Sequence, residues 1–265
     1  MNRERAAPGA PSGAPGAQGS TATPPVFLAG PDELGSGSVT LTGAEGRHAA
    51  TVRRLALGER ADVTDGAGTL AECTVSRTGP GEVELTVMSR RTVPAPQPKI
   101  VVVQAIPKGD RGELAVEIMT EVGVDEVVAW QAERCVARWR DDRAGKALAR
   151  WQATAREAAK QARRAWIPGV TGPEGTPAIA RRVGAAALAI LLEPGAPVAF
   201  GSLAMPHGGE IVVIVGPEGG VSPAEADALT AAGAVPARLG PTVLRSSSAG
   251  AVAATLALAG SARWA

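Results

Sequence analysis

From residue 99 onward the chain alternates strand and helix patterns, and this alternation limits the fold more than any other feature. Lys99–Ala105, Val127–Trp130, Ala187–Leu192, Glu210–Val215 and Ala237–Leu239 read as buried strands. Helical periodicity fills the intervals, at about Glu113–Val122, Gly145–Ala165, Pro223–Ala232 and Ala249–Ser261. Apolar strands alternating with helices predict an α/β fold, a mostly parallel sheet covered on both faces. On such sheets ligands bind where the strands end at their carboxyl side.

The stretch before residue 99 has a different rhythm. Ser38–Thr42, Ala61–Thr64, Thr69–Ser76 and Glu82–Ser89 alternate or carry β-branched residues, and Asp65-Gly66 and Gly79-Pro80-Gly81 punctuate them as turns. A helical piece at about Gly46–Leu55 interrupts the run. These features predict a small β-barrel over residues 23–91. Residues 92–98, with three prolines, read as a stiff linker into a larger domain over 99–265. Residues 1–22 are mostly Pro, Gly, Ala and Ser, and so are expected to be disordered.

Net charge is +1, from 27 Lys and Arg against 26 Asp and Glu, which excludes a uniformly basic coat protein. The balance hides a local imbalance. Residues 134–166 carry ten basic side chains against Asp141, Asp142 and Glu157, a density suited to phosphate contact or to a solvated helix face. Two cysteines and two histidines, widely spaced, argue against a metal site or a disulfide framework. The longest apolar stretches fall well short of a membrane span, and the amino terminus lacks an apolar leader. A cytoplasmic protein that needs neither metal nor membrane is expected.

Two segments could carry chemistry. In Ile211–Glu225, IVVIVGPEGGVSPAE, an apolar strand runs into glycines and then into a capping box with proline at the first helical position. Glycines there let backbone N–H groups approach a ligand, although a tight turn alone would also explain them. The segment lacks the lysine of a P-loop and the spacing of the dinucleotide fingerprint. In LGPTVLRSSSAG, Leu239–Gly250, Arg245 stands between apolar residues and three serines. It could hold an anionic oxygen or pair with a nearby acid. No nucleophile elbow accompanies the serines, which counts against a serine hydrolase.

Taken in order, KGDRGELAVEIMTEVGVDEVVAWQAERC (108–135), REAAKQARRAWIP (156–168), GPEGGVSPAE and LGPTVLR resemble the RsmE family of 16S rRNA uridine-N3 methyltransferases. GRHAATVRRL (46–55) is similar to that family's amino-terminal RNA-binding module. The resemblance covers about residues 25–262. It implies a PUA-like barrel followed by a SPOUT domain with a trefoil knot, S-adenosylmethionine as methyl donor, and a homodimer with sites at the interface. The implied substrate is one uridine of 16S rRNA within the assembled small subunit.

Carried over by position, the cofactor pocket would use Leu192, Glu193, Gly216, Pro217, Glu218, Gly219, Gly220, Leu239, Gly240, Leu244 and Arg245. Arg245, then Arg164, would stabilise charge on the uracil oxygens, and Glu157 or Glu218 would take the N3 proton. RNA contacts would come from Arg47, His48, Arg53, Arg54, Lys108, Arg111, Arg138, Lys160 and Arg163. The chain departs from the family pattern at Ser246-Ser247-Ser248, where many members carry Thr-Glu-Thr, and at Ile118, where lysine is common. Two alternatives stay open. One is a SPOUT enzyme acting on another RNA atom. The other is a non-catalytic RNA-binding assembly factor.

Overall fold

The computed structural model describes residues 23–264; the segment expected to be disordered, 1–22, lies outside them. The first layer contains β1 (Val26–Leu28), α1 (Pro31–Leu34), β2 (Ser38–Leu41), α2 (Gly43–Arg47), β3 (Arg60–Thr64), β4 (Thr69–Gly79) and β5 (Glu82–Thr92). The five strands form one sheet in the order β1-β3-β4-β5-β2. Phe27, Leu41, Val63, Val75 and Leu85 close its core. Helix α2 ends in a wide helical turn, His48–Val52, where a single regular helix was expected. Gly46 sits there because a side chain would strike the carbonyls of Leu41 and Gly81. β1 escaped the sequence reading because three residues are too few for a pattern.

The second layer is a parallel sheet. It contains β6 (Lys99–Ala105), α3 (Arg111–Val122), β7 (Glu126–Trp130), α4 (Asp141–Gln161), β8 (Gly169–Glu174), α5 (Thr176–Ala185), β9 (Leu188–Leu192), β10 (Val198–Ala199), β11 (Glu210–Val215), α6 (Pro223–Ala231), β12 (Val235–Arg238) and α7 (Ser246–Gly260). Its seven strands run in the order β10-β12-β9-β11-β6-β7-β8. At the centre β11 pairs with β6 over six residues, from Glu210 opposite Lys99 to Val215 opposite Gln104. Ile100–Val103 and Ile211–Ile214 are fully buried, as a sheet covered on both faces requires. The strand–helix alternation is therefore seen, with β8, β10 and α5 added. Helix α4 starts before the expected boundary at Gly145 and stops before Ala165.

Helices α3 and α7 cover one face. Gly250 of α7 is bare because a Cβ there would meet Met119 Sδ at 2.9 Å and Val102 Cγ1 at 3.1 Å. β12 is two strands removed from β11, yet α7, which follows it, lies on β11 and β6. Residues 239–245 must therefore cross the carboxyl ends of β9 and β11.

The carboxyl end of α4 rivets the two layers together. Lys160, only 5% exposed, reaches Glu45 at 2.8 Å and Glu157 at 3.0 Å. Arg163 pairs with Asp62 of β3 and donates to the Pro24 carbonyl at 2.6 Å. Trp166 lies against Gly68 and donates from Nε1 to the Val93 carbonyl at 2.9 Å. Arg164 turns the other way, donating to the carbonyls of Thr120 (2.9 Å) and Val124 (2.6 Å) and pairing with Asp125 at 3.4 Å.

These contacts bear on four expectations. Lys160 and Arg163 are not free for RNA, because acids of the barrel already pair with them. Arg164 and Glu157 lie away from the strand ends where ligands bind. Arg164 is at the amino end of β7, and Glu157 is on the outer side of α4 beside the barrel.

Two predictions follow from the ion pairs. Arg164→Ala leaves the buried Asp125 carboxylate with fewer partners, and should cost about 3 kcal/mol in urea unfolding. A methyl-transfer defect with unchanged stability would restore Arg164 to the reaction. The second concerns Glu126, which burial alone would push up. Hydrogen bonds and charges from Arg182 and Lys99 outweigh burial and hold its carboxyl below the usual range. A lowered carboxylate pKa stabilises above its unfolded value and loses that contribution as pH falls through the folded value. Glu126→Gln should therefore flatten the stability decline below about pH 4.5. An unchanged acid limb in a denaturation series would remove Glu126 as its source.

Candidate active site

Three chain segments meet at the carboxyl edge of the parallel sheet and enclose a cleft of about 520 Å³. They follow β9 (Leu192-Glu193-Pro194), β11 (Val215–Val221) and β12 (Ala237 into α7). The segment after β11 folds tightly, with Gly220 N–H donating to the Pro217 carbonyl at 2.9 Å. Gly220 has φ +73°, which a side chain would strain. A Cβ on Gly216 would come within 2.7 Å of Val221 Cγ2. The backbone itself therefore forms this wall of the cleft.

The loop is held from behind by a buried carboxylate. Ser222 caps α6, accepting from Glu225 N–H at 3.4 Å, and Glu225 returns the bond in a capping box. Glu225 Oε1 also accepts from Thr176 Oγ1 at 2.7 Å and from Glu133 N–H at 3.0 Å. One side chain thus joins the β11 loop to the loop after β7 and to the start of α5. Glu218 makes a further tie, accepting from Lys108 N–H at 3.4 Å.

Ten of the eleven positions expected in the cofactor pocket line this cleft: Leu192, Glu193, Gly216, Pro217, Glu218, Gly220, Leu239, Gly240, Leu244 and Arg245. Gly219 lies in the same turn, close against Arg134. Arg111, expected only as an RNA contact, also lines the cleft. Arg47, Arg53 and Arg54 are exposed on the barrel, and Arg138 and Lys108 are exposed on the larger domain. His48 is half-buried, its ring edge-on to Phe27 with centroids 5.9 Å apart. It packs where a contact residue was expected.

Sequence reasoning missed Arg134, Val221, Thr242 and Ser246, all on the cleft wall. Arg134 follows β7 directly, so the carboxyl-end rule alone could have flagged it. Ser246 is less than a tenth exposed, and its Oγ has no hydrogen-bond partner among the described residues. The cleft therefore combines apolar walls from Leu192, Leu239, Leu244 and Val221, exposed backbone, and an unpartnered hydroxyl. Its volume and lining suit a nucleoside-sized cofactor.

Comparison with known proteins agrees with this geometry. Residues 94–258 match the RNA methyltransferase domain family, and residues 41–88 match the RNA methyltransferase PUA domain. The chain is 49% identical over 215 residues to ribosomal RNA small subunit methyltransferase E of Mycobacterium bovis, covering 80% of this chain and 82% of that one. The Bacillus subtilis protein of the same name is 28% identical over 221 residues, covering 79% of this chain and 85% of its own. Among solved structures, ribosomal RNA small subunit methyltransferase E from Neisseria gonorrhoeae, bound to S-adenosylmethionine, aligns with TM-score 0.78 and 25% identity. That alignment covers 89% of this chain and 98% of the other. A methyltransferase from Legionella pneumophila in complex with the same cofactor aligns with TM-score 0.79 and 25% identity, over 90% and 98% of the two chains. With the parallel-sheet cleft, the barrel before it and these matches across both layers, the chain belongs to the ribosomal RNA small subunit methyltransferase E family of RNA methyltransferases.

Proposed function

We propose that this protein transfers a methyl group from S-adenosylmethionine to N3 of one uridine in the 16S rRNA of the small ribosomal subunit. The observation that carries the reading is the cleft, which ten of the positions expected in the cofactor pocket line at the sheet's carboxyl edge. When bound, the cofactor supplies an electrophilic methyl on a sulfonium. The chain's own groups must then align the acceptor nitrogen, take up its proton, and stabilise charge on the uracil oxygens.

Arg245 is the residue for the last task. It lines the cleft and makes no ion pair among the described residues. Its guanidinium is thus free to face a developing oxyanion. Of the two proton acceptors considered, only Glu218 lines the cleft, so the proton role falls to it. The exposed Arg47, Arg53 and Arg54 of the barrel are the RNA contacts of this reading.

A homodimer belongs to the same reading. Helix α7 is apolar nearly all round, and Val252 and Leu256 on its outer face stay 39% and 38% exposed. Val243 and Leu244, just before it, are exposed as well. Such a surface suits a second copy beside the cleft. The knotted path of residues 239–245 and a cytoplasmic location are further parts of this reading. No helix of the described residues is long and apolar enough to cross a membrane.

Methyl transfer to small subunits tests the assignment. Arg245→Ala should lower kcat about 100-fold with the cofactor dissociation constant within a few-fold of the parent. Equal loss of cofactor affinity would make Arg245 a pocket residue. Glu218→Gln should lower kcat about 100-fold near neutral pH, and the defect should shrink as pH rises and the uracil imide ionises unaided. A pH-independent defect would remove Glu218 as the proton acceptor.

A further inference from the structure

Charge in the cleft does not balance, and the imbalance points to a third occupant beyond cofactor and base. Arg111, Arg134 and Arg245 line it, against the carboxylates of Glu193 and Glu218. None of the three guanidiniums forms a salt bridge among the described residues, whereas Arg163, Arg164, Arg182 and Arg263 elsewhere in this domain all do. The cofactor worsens the excess, because its sulfonium and ammonium outweigh its single carboxylate. A uracil that has lost its N3 proton brings one negative charge, and Arg245 answers it. With Glu193 and Glu218 counted, one positive charge remains over, and Arg111 and Arg134 are the guanidiniums not assigned to the base.

Their placement fits an anion. Arg111 is the first residue of α3, in the turn whose N–H groups lack intrahelical partners and favour negative charge. Arg134 follows β7 and lies along the β11 loop. Its Cβ stands 3.4 Å from where a side chain on Gly219 would begin. Its Nη1 makes only long contacts, 3.4 Å to the Gly219 carbonyl and 3.5 Å to the Val221 carbonyl. Its remaining donors have no partner among the described residues. Two guanidiniums from separate elements, one opening α3 and one in the loop after β7, line the same cleft, a pairing suited to the oxygens of a phosphodiester.

We propose that Arg134 and Arg111 form a phosphate clamp at the mouth of the cleft, holding the RNA backbone next to the target nucleotide. The proposal rests on the RNA-methyltransferase reading and assigns Arg134 a role in it. The clamp positions the substrate. Arg134 also lies against Gly219, so the grip on RNA is built onto the loop that walls the cofactor space.

Equilibrium binding to purified small ribosomal subunits, measured across a salt series, reads the clamp independently of catalysis. Arg134→Gln and Arg111→Gln should each weaken binding about tenfold. Each should also make the salt dependence of log affinity shallower by about one. Arg134→Lys should keep the parent slope. Cofactor affinity by calorimetry and thermal midpoints should stay unchanged. Arg181→Gln, exposed on α5 away from the cleft, should behave as the parent. Weakened cofactor binding with an unchanged salt slope would overturn the clamp and assign the arginines to the cofactor carboxylate. No change in either quantity would overturn it outright. Failure of the functional reading would show separately, as normal binding by the parent protein without methyl transfer.

Discussion

Parallel pairing of β11 with β6 and β9 is the contact on which the rest of the molecule depends. Because all seven strands of that sheet run the same way, every strand-to-helix turn of one polarity falls on one edge. The register from Glu210 opposite Lys99 to Val215 opposite Gln104 brings Gly216 next to the loop that carries Lys108 and leads into Arg111 at the start of α3. The pairing of β9 with β12 brings Leu192 opposite Ala237, and so sets the Glu193 loop beside the Leu239 loop. The cleft is what remains between these turns. On the β11 side glycines and backbone form the wall, while Leu192, Leu239, Leu244 and Val221 supply the apolar walls.

A second constraint separates the charges into two jobs. The basic run over 134–166 is split by the fold. Of its later members, Lys160 and Arg163 pair with Glu45 and Asp62 and hold the barrel against the sheet, while Arg164 bonds the Thr120 carbonyl and Asp125 within the larger domain. Its first member, Arg134, is left on the cleft wall.

How much of this was legible depended on whether the determining contacts were local. The β11 loop and α6 were readable because an apolar strand, glycines and a Ser-Pro-Ala-Glu capping box follow one another directly, and each has its own local reason. The positions expected to hold a cofactor came from the family resemblance, and ten of them line the cleft. β8 and α5 were not, because β8 is an edge strand with Gly172-Pro173 inside it and pairs only with β7. A Cβ on Gly172 would strike the Ala129 carbonyl, so that glycine is fixed by a neighbour far along the chain.

The residues whose partners lie far along the chain share that origin. Lys160 and Arg163 look like phosphate contacts until Glu45 and Asp62, about a hundred residues away, are seen against them. Glu157 and Arg164 sit near the family motif in sequence, but α4 carries them to the barrel side and to the amino end of the sheet. Charge density along a segment says how many cations exist. Only the fold says which of them remain unpaired.

The central claim is that the cleft methylates N3 of a single small-subunit uridine. Nucleoside mass spectrometry of 16S rRNA, from cells lacking the gene and from the same cells after purified protein and S-adenosylmethionine are added to their small subunits, tests it most directly. The account predicts that N3-methyluridine is absent at first and then appears at one position. A methyl group on a ribose oxygen or on another base, or no methyl group with the cofactor still bound, would contradict it.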